Sequence, residues 1–203
     1  MTEAPHIQID LDSVTEARLV AQALGGSEAA FEQIVRRHQR AVLTLLVRLT
    51  GDAGLAEDLA QETFVKAFRS LGAFDTARRL SSWLLRIAHN TGIDALRRQR
   101  LKTVPLETAA GDNQPLDPEA PAEPDPLERA ALAGALDSAM QQLTPTQRAA
   151  MSLRYEEGLS FADVGQVLGM PEATARSHVH RARRTLAVEL TARGIATDPG
   201  KSA

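Results

Sequence analysis

Asp58 and Glu62 stand four residues apart, so on a helix their carboxylates share one face. Paired carboxylates can pass protons or hold a cation. Here the pair sits beside Lys66, with no histidine or glycine-rich loop nearby, and a solvated face or a protein contact is the expected use. His178 and His180 resemble a metal pair, but a spacing of two puts them on different helix faces, and no third ligand accompanies them. No metal site, no catalytic residue and no cofactor are expected. The sequence has no phosphate-binding loop, nucleophile elbow or dinucleotide fingerprint, so it does not read as an enzyme.

A third group has a different chemistry. Between Ser81 and Arg100, at 100° per residue, Leu84, Leu85, Ala88, Thr91, Gly92, Ala95 and Leu96 fall on one side of a helix. Trp83, Arg86, Asn90, Asp94, Arg97 and Arg98 gather on the other. An aromatic ring, an amide and several fixed cations on one stripe can stack on a base and hold a strand's phosphates. The plainer alternative is a surface helix that ends in arginines, which the helix dipole favours. Asp94 is anomalous on such a stripe: it accepts from a base amino group or pairs with Arg97 or Arg98.

Helices must position these groups, and the sequence spells them. Ser13 and Glu16 form a capping box for a helix ending at Gly25-Gly26. Ser27 can cap a second helix, whose apolar residues keep a 3.6-residue period until Gly51. Asp52 starts a third, which is expected to bury Leu55, Leu59, Thr63, Phe64, Ala67, Phe68 and Leu71 and to close at Gly72. Gly72 to Leu80 has no helical pattern.

Residues 103–126 differ in kind, with six prolines, six acidic residues and no Lys or Arg. Such a stretch cannot bury enough apolar surface to offset its ordering entropy, so it reads as a semi-extended acidic linker holding its flanking domains separated but tethered. Beyond it a helix passes through Leu132, Leu136, Met140 and Leu143. Thr144-Pro145-Thr146-Gln147 is a capping box with proline at the first helical position, and Ser160 with Asp163 repeats the device. A helix to Leu168, a stop at Gly169 and a helix opening at Pro171 have the spacing of a helix-turn-helix, with Gly165 where two helices must cross closely. In the last helix Ala175, Val179, Ala182 and Leu186 face inward, while Ala173, Ser177, His180, Arg181 and Arg184, flanked by Arg176 and Arg183, point away. That face suits base edges and phosphates.

The net charge of −3 hides this clustering, because the acids lie elsewhere. With no cysteine there are no disulfides or thiolate zinc sites. The absence of a long apolar run or a signal-peptide pattern leads to the expectation of a cytoplasmic protein with no membrane partner.

In this order the motifs DLAQETFVKAFRSL (58–71), SSWLLRIAHNTGIDALRR (81–98), LTPTQRAAMSLRYEEGLSFADVGQVLG (143–169) and ATARSHVHRARRTL (173–186) resemble the extracytoplasmic-function sigma factors of bacterial RNA polymerase, over about Leu19 to Leu190. The resemblance implies an all-α fold of two small helical domains: domain 2 at 12–102 and domain 4, containing the helix-turn-helix, at 127–190. The linker at 103–126 would join them, with a tail at 191–203. It implies core RNA polymerase as partner, through the clamp helices of the largest subunit and the flap, with Asp58, Gln61 and Glu62 on the clamp. Promoter DNA would be the second partner. Phe74 and its loop, Trp83, Arg86, Asn90, Asp94, Arg97 and Arg98 would serve the −10 element, and Arg176, Ser177, His180, Arg181 and Arg184 the −35 element. An anti-sigma partner is common in the group, though no segment encodes one. The sequence departs from the family pattern at Ala173 and His178, where glycine and arginine are usual. The rival reading is a stand-alone helix-turn-helix regulator with a helical sensor or dimerisation domain.

Overall fold

The computed structural model describes residues 11–102 and 126–195, and the acidic linker expected at 103–126 falls almost wholly outside them, as does the end of the tail. Eight α-helices are seen among the described residues: α1 (Leu11–Leu24), α2 (Glu28–Thr50), α3 (Ala53–Ser70), α4 (Leu80–Lys102), α5 (Pro126–Gln141), α6 (Pro145–Met151), α7 (Phe161–Leu168) and α8 (Glu172–Ala192). The fold is all-α, as expected.

The local signals act where the sequence places them. The Ser27 side chain accepts from Ala30 N at 3.3 Å, and Asp52 accepts from Leu55 N at 3.0 Å. Thr144 and Gln147 complete a reciprocal capping box. Gly51 and Gly169 close α2 and α7 in the left-handed region, with φ 75° and 67°. Three boundaries differ from expectation. Helix α1 already runs at Leu11, two residues before Ser13. Instead of stopping at Gly72, α3 ends at Ser70 and tightens into a 3₁₀ turn over Leu71–Ala73. The helix opened by Thr144 widens after Met151 into a π-helical turn over Ser152–Glu156.

Helices α1 to α4 pack around Ile34, Val42, Leu45, Leu46, Leu49, Leu59, Leu84 and Leu85, all buried. Gly92 lets α4 lie close on α2: a Cβ there would stand 2.5 Å from a Leu49 methyl. In the helix-turn-helix, a Cβ on Gly165 would stand 2.7 Å from the Met170 carbonyl oxygen, so the expected close crossing is present.

The expectation of separated domains is corrected by the packing. Helix α4 lies against α7, and α2 against α6 and the π-helical turn. One apolar core runs from Leu45 and Leu84 through to Ala149, Leu153, Val164 and Val167. The physical reason lies in the short α6 and α7, whose apolar faces exceed what α8 alone can cover; only the outer half of α8 finishes its core on α5, through Ala139, Met140, Leu143, Ala182 and Leu186. Polar groups seal the seam. Arg148 Nε donates to the Arg48 carbonyl oxygen at 2.7 Å, and the Arg48 guanidinium meets Glu156 at 2.9 Å and Asp137 at 3.6 Å.

Candidate nucleic-acid interface

Helix α4 sorts its residues as its periodicity requires. Leu84, Leu85, Ala88, Thr91, Gly92 and Ala95 are buried, whereas Arg86, Asn90, Asp94, Arg97 and Arg98 are exposed. Trp83 lies between these sets: half-buried, it packs against Phe74 with ring centroids 5.2 Å apart and planes at 51°. The loop carrying Phe74 is ordered by Asp75, whose carboxylate accepts from Ala77 N at 3.0 Å and lies 3.5 Å from the Arg78 guanidinium. The result is a two-ring platform beside Arg78 and Arg79 at the start of α4, with a row of cations toward its end.

Asp94 takes neither cationic partner expected for its carboxylate. Arg98 Nε reaches the Asp94 backbone oxygen at 3.4 Å, while the other end of that guanidinium stands 4.0 Å from Glu62. Among the described residues no cation lies within ion-pair distance of the Asp94 carboxylate, which leaves its oxygens open to an incoming donor.

On α3, Asp58 and Gln61 are exposed and Glu62 is half-buried. Glu62 pairs with Lys66 at 2.8 Å, and Lys66 in turn donates to Thr91 Oγ1 on α4 at 3.1 Å. The acidic face and the basic helix are thereby joined through Lys66, a residue the sequence gives only as a surface neighbour. Phe68, expected in the core, is instead 54% exposed and packs edge-on against Phe31 at 4.8 Å.

On α8, Arg176, Ser177, His180, Arg181 and Arg184 are all exposed on one side, and Ala175, Val179, Ala182 and Leu186 are buried on the other. Arg176 is held by Glu172 at 2.7 Å and by the Phe161 ring, 4.9 Å away. A second guanidinium, that of Arg154, lies 4.8 Å from the same ring and donates to the Leu159 carbonyl at 2.8 Å. Sequence spacing gave no hint of Arg154, because the π-helical turn and α7 intervene before it meets Arg176. His178 is half-buried, and burial followed by the Arg181 charge pushes its pKa below the usual histidine value. Its neighbour His180 points outward, so the two rings do not converge.

Two separate basic surfaces, one with stacking rings and one on a helix-turn-helix, are thus mounted on one helical body. The sequence matches the Sigma-70 region 2 family over residues 34–102 and the Sigma-70 region 4 family over residues 133–186. It is 37% identical over 182 residues to the RNA polymerase sigma-H factor of Pseudomonas aeruginosa, covering 84% of this chain and 91% of that protein. The chain belongs to the sigma-70 family, as an RNA polymerase sigma factor. The ECF RNA polymerase sigma factor SigW of Bacillus subtilis is 30% identical, with 84% and 94% covered. Among solved structures, the sigma factor RpoE of Bartonella quintana, in complex with the anti-sigma factor NepR, matches with a TM-score of 0.63 and 26% identity over 79% of this chain and 96% of that one. This sigma factor carries Asp58 to Arg98 inside the region 2 match and Arg176 to Arg184 inside the region 4 match. Among the described residues no helix is long and apolar enough to cross a membrane.

Proposed function

We propose that this sigma factor directs core RNA polymerase to promoters by reading a −35 duplex with α8 and trapping unpaired −10 bases with α4 and the Phe74 loop. Arg176, Ser177, His180, Arg181 and Arg184 face the major groove and its phosphates. Phe74, Trp83, Arg86, Asn90, Asp94, Arg97 and Arg98 receive the melted strand, and Asp58, Gln61 and Glu62 dock on the polymerase clamp. The flap of the polymerase takes the second domain. The protein works in the cytoplasm with no catalytic step and no cofactor of its own, and an anti-sigma factor, as in the complex of the Bartonella relative, is a further partner.

The observation that most supports this reading is the Phe74–Trp83 pair at the head of a basic helix face. Extruding a base costs a few kcal/mol, and stacking on an aromatic ring returns ~1–3 kcal/mol. Melting is therefore favourable only when polymerase contacts add to it, so the free protein binds promoter duplex weakly. The test is copurification with core polymerase followed by transcription in vitro from promoters recovered by that holoenzyme. Tight, sequence-specific binding to intact duplex without polymerase would instead favour the stand-alone regulator.

A further inference from the structure

The Phe161 ring carries two cations. Arg154 Cζ lies over it at 4.8 Å from the centroid, and Arg176 Cζ at 4.9 Å. The three residues come from three elements: Arg154 from the π-helical turn, Phe161 from the first position of α7 and Arg176 from the second turn of α8. Local chemistry fixes where the ring stands. Ser160 caps α7 by accepting from Asp163 N at 3.1 Å, and the half-buried ring next to that cap rests on the core.

The two cations are not balanced from within. Arg176 has one carboxylate, Glu172 at 2.7 Å, in a pair so exposed that salt screens it. Arg154 donates to the Leu159 carbonyl oxygen at 2.8 Å, and among the described residues no acidic side chain lies within ion-pair distance of it. Two guanidinium groups gathered on one ring repel each other, and what the cluster lacks is an anion. A ring also holds a cation differently from a carboxylate. It attracts the guanidinium by its π face and leaves the N–H donors unspent, whereas an ion pair uses them. Glu172 must give way as a phosphate approaches, because the two anions repel; Phe161 need not. The location agrees with this chemistry. In a helix-turn-helix the first helix crosses the DNA backbone and the N-terminal part of the second enters the groove. Phe161 opens the first of these helices, and Arg176 lies in the N-terminal part of the second.

We propose that Phe161 is a positioning residue of the −35 site: without touching DNA, its ring presets the Arg176 guanidinium, with that of Arg154 beside it, to grip the phosphate backbone of the duplex. The inference rests on the reading of α8 as the −35 helix and adds to it a residue that has neither charge nor hydrogen-bonding group. A preset arginine has less rotamer freedom to lose on binding, so the ring acts on affinity through the two cations and not through a contact of its own.

The test uses the holoenzyme that the chain forms with core polymerase, on a promoter recovered by that holoenzyme, at a temperature too low for strand opening. Closed-complex affinity is then what is read. Phe161→Leu, which keeps an apolar side chain on the core, is expected to weaken it about three- to tenfold, and Phe161→Tyr, which keeps the ring, to preserve it. In a chain that also carries Arg154→Gln and Arg176→Gln, Phe161→Leu should cost nothing further. An unchanged affinity in Phe161→Leu overturns the proposal. So does a loss that Phe161→Tyr shares, or one of equal size in the double-glutamine background, since the ring would then serve packing alone. Should Phe161→Leu lose its helical circular dichroism, Phe161→Met takes its place with the same expectations. Arg181→Ala tells the two readings apart. If it weakens the closed complex while Phe161→Leu does not, the −35 reading stands and the positioning role falls; if neither Arg181→Ala nor the double-glutamine variant weakens it, the −35 reading falls as well.

Discussion

Trp83 is packed well enough to be held and exposed enough to be used, which makes it the residue on which strand capture turns. Trp83→Ala is expected to slow open-complex formation, read by permanganate footprinting, far more than it weakens −35 binding; equal losses in both would refute the trapping role. On α8, Arg181 has a backbone carbonyl at 3.3 Å and, among the described residues, no acidic side chain within ion-pair distance, so its guanidinium is free to leave for a base or phosphate. Arg181→Ala should cost ~1–3 kcal/mol of −35 affinity if it reads a base, with selectivity lost at one position in a mutated-promoter series. Two other residues govern stability with pH. Burial lowers the pKa of His38, with help from Arg37, and of His89, where a hydrogen bond with Asn90 opposes part of the shift. The unfolded chain therefore takes up protons first as pH falls. Stability from these neutral imidazoles is complete above the unfolded pKa of about 6.5 and is lost progressively below it. A carboxylate of Glu16 lies 3.4 Å from His38 Nε2 and attracts a proton there, so His89 gives the cleaner test. The urea midpoint should fall between about pH 7.5 and about pH 5.5, and His89→Gln should narrow that fall.

At the scale of elements, the glycines separate crossings from mere flexibility. A Cβ on Gly165 would meet the Met170 carbonyl oxygen at 2.7 Å and the Glu172 amide nitrogen at 3.3 Å, both backbone atoms that cannot rotate away. Gly165→Ala should cost ~1–3 kcal/mol by overpacking the crossing of α7 and α8. Gly134, within α5, would meet nothing within 4 Å, and Gly134→Ala should stabilise by ~0.5–1 kcal/mol through helix propensity. Urea denaturation of the two variants checks both signs. The same element scale explains what could be read from the chain. Caps and stops are local chemistry: Ser27, Asp52, Thr144 with Gln147, Ser160, Gly51 and Gly169 carry their meaning within four residues, and each acts as read. The two faces of α4 were legible because a 3.6-residue period needs only its own helix. Phe68 departs from the expected core position because apolar period says which side is greasy and not whether a neighbour covers it; it stays 54% exposed. The π-helical turn, from which Arg154 reaches the Phe161 ring, follows from no motif read in the sequence.

At the scale of the whole molecule, the seam is the feature that sequence could not supply, since it depends on surfaces about a hundred residues apart in the chain, as Arg48 and Arg148 are. Its thermodynamic consequence can be measured without DNA or polymerase. Two domains that share only a linker unfold independently, each with its own free energy, whereas two that share a buried apolar core are coupled by the area they bury together. Leu153 belongs to the second domain by sequence, yet it is fully buried in the core that also holds Leu45 and Leu46 of α2. Leu153→Ala removes apolar contacts and leaves a cavity, at a cost of about 2–5 kcal/mol. If that cost were confined to the second domain, native-state hydrogen exchange would lose protection in α6, α7 and α8 while amides of α2 stayed as slow as before. The continuous core requires a different pattern. When the second domain opens, α2 and α4 lose their cover, so the slowest amides at Leu45 and Leu46 should exchange faster in Leu153→Ala, in step with those at Val179 and Ala182. The reciprocal substitution, Leu46→Ala, should speed exchange in α7 and α8. Protection lost on one side of the seam only, in both variants, would mean that the shared core adds no coupling and that the domains part freely.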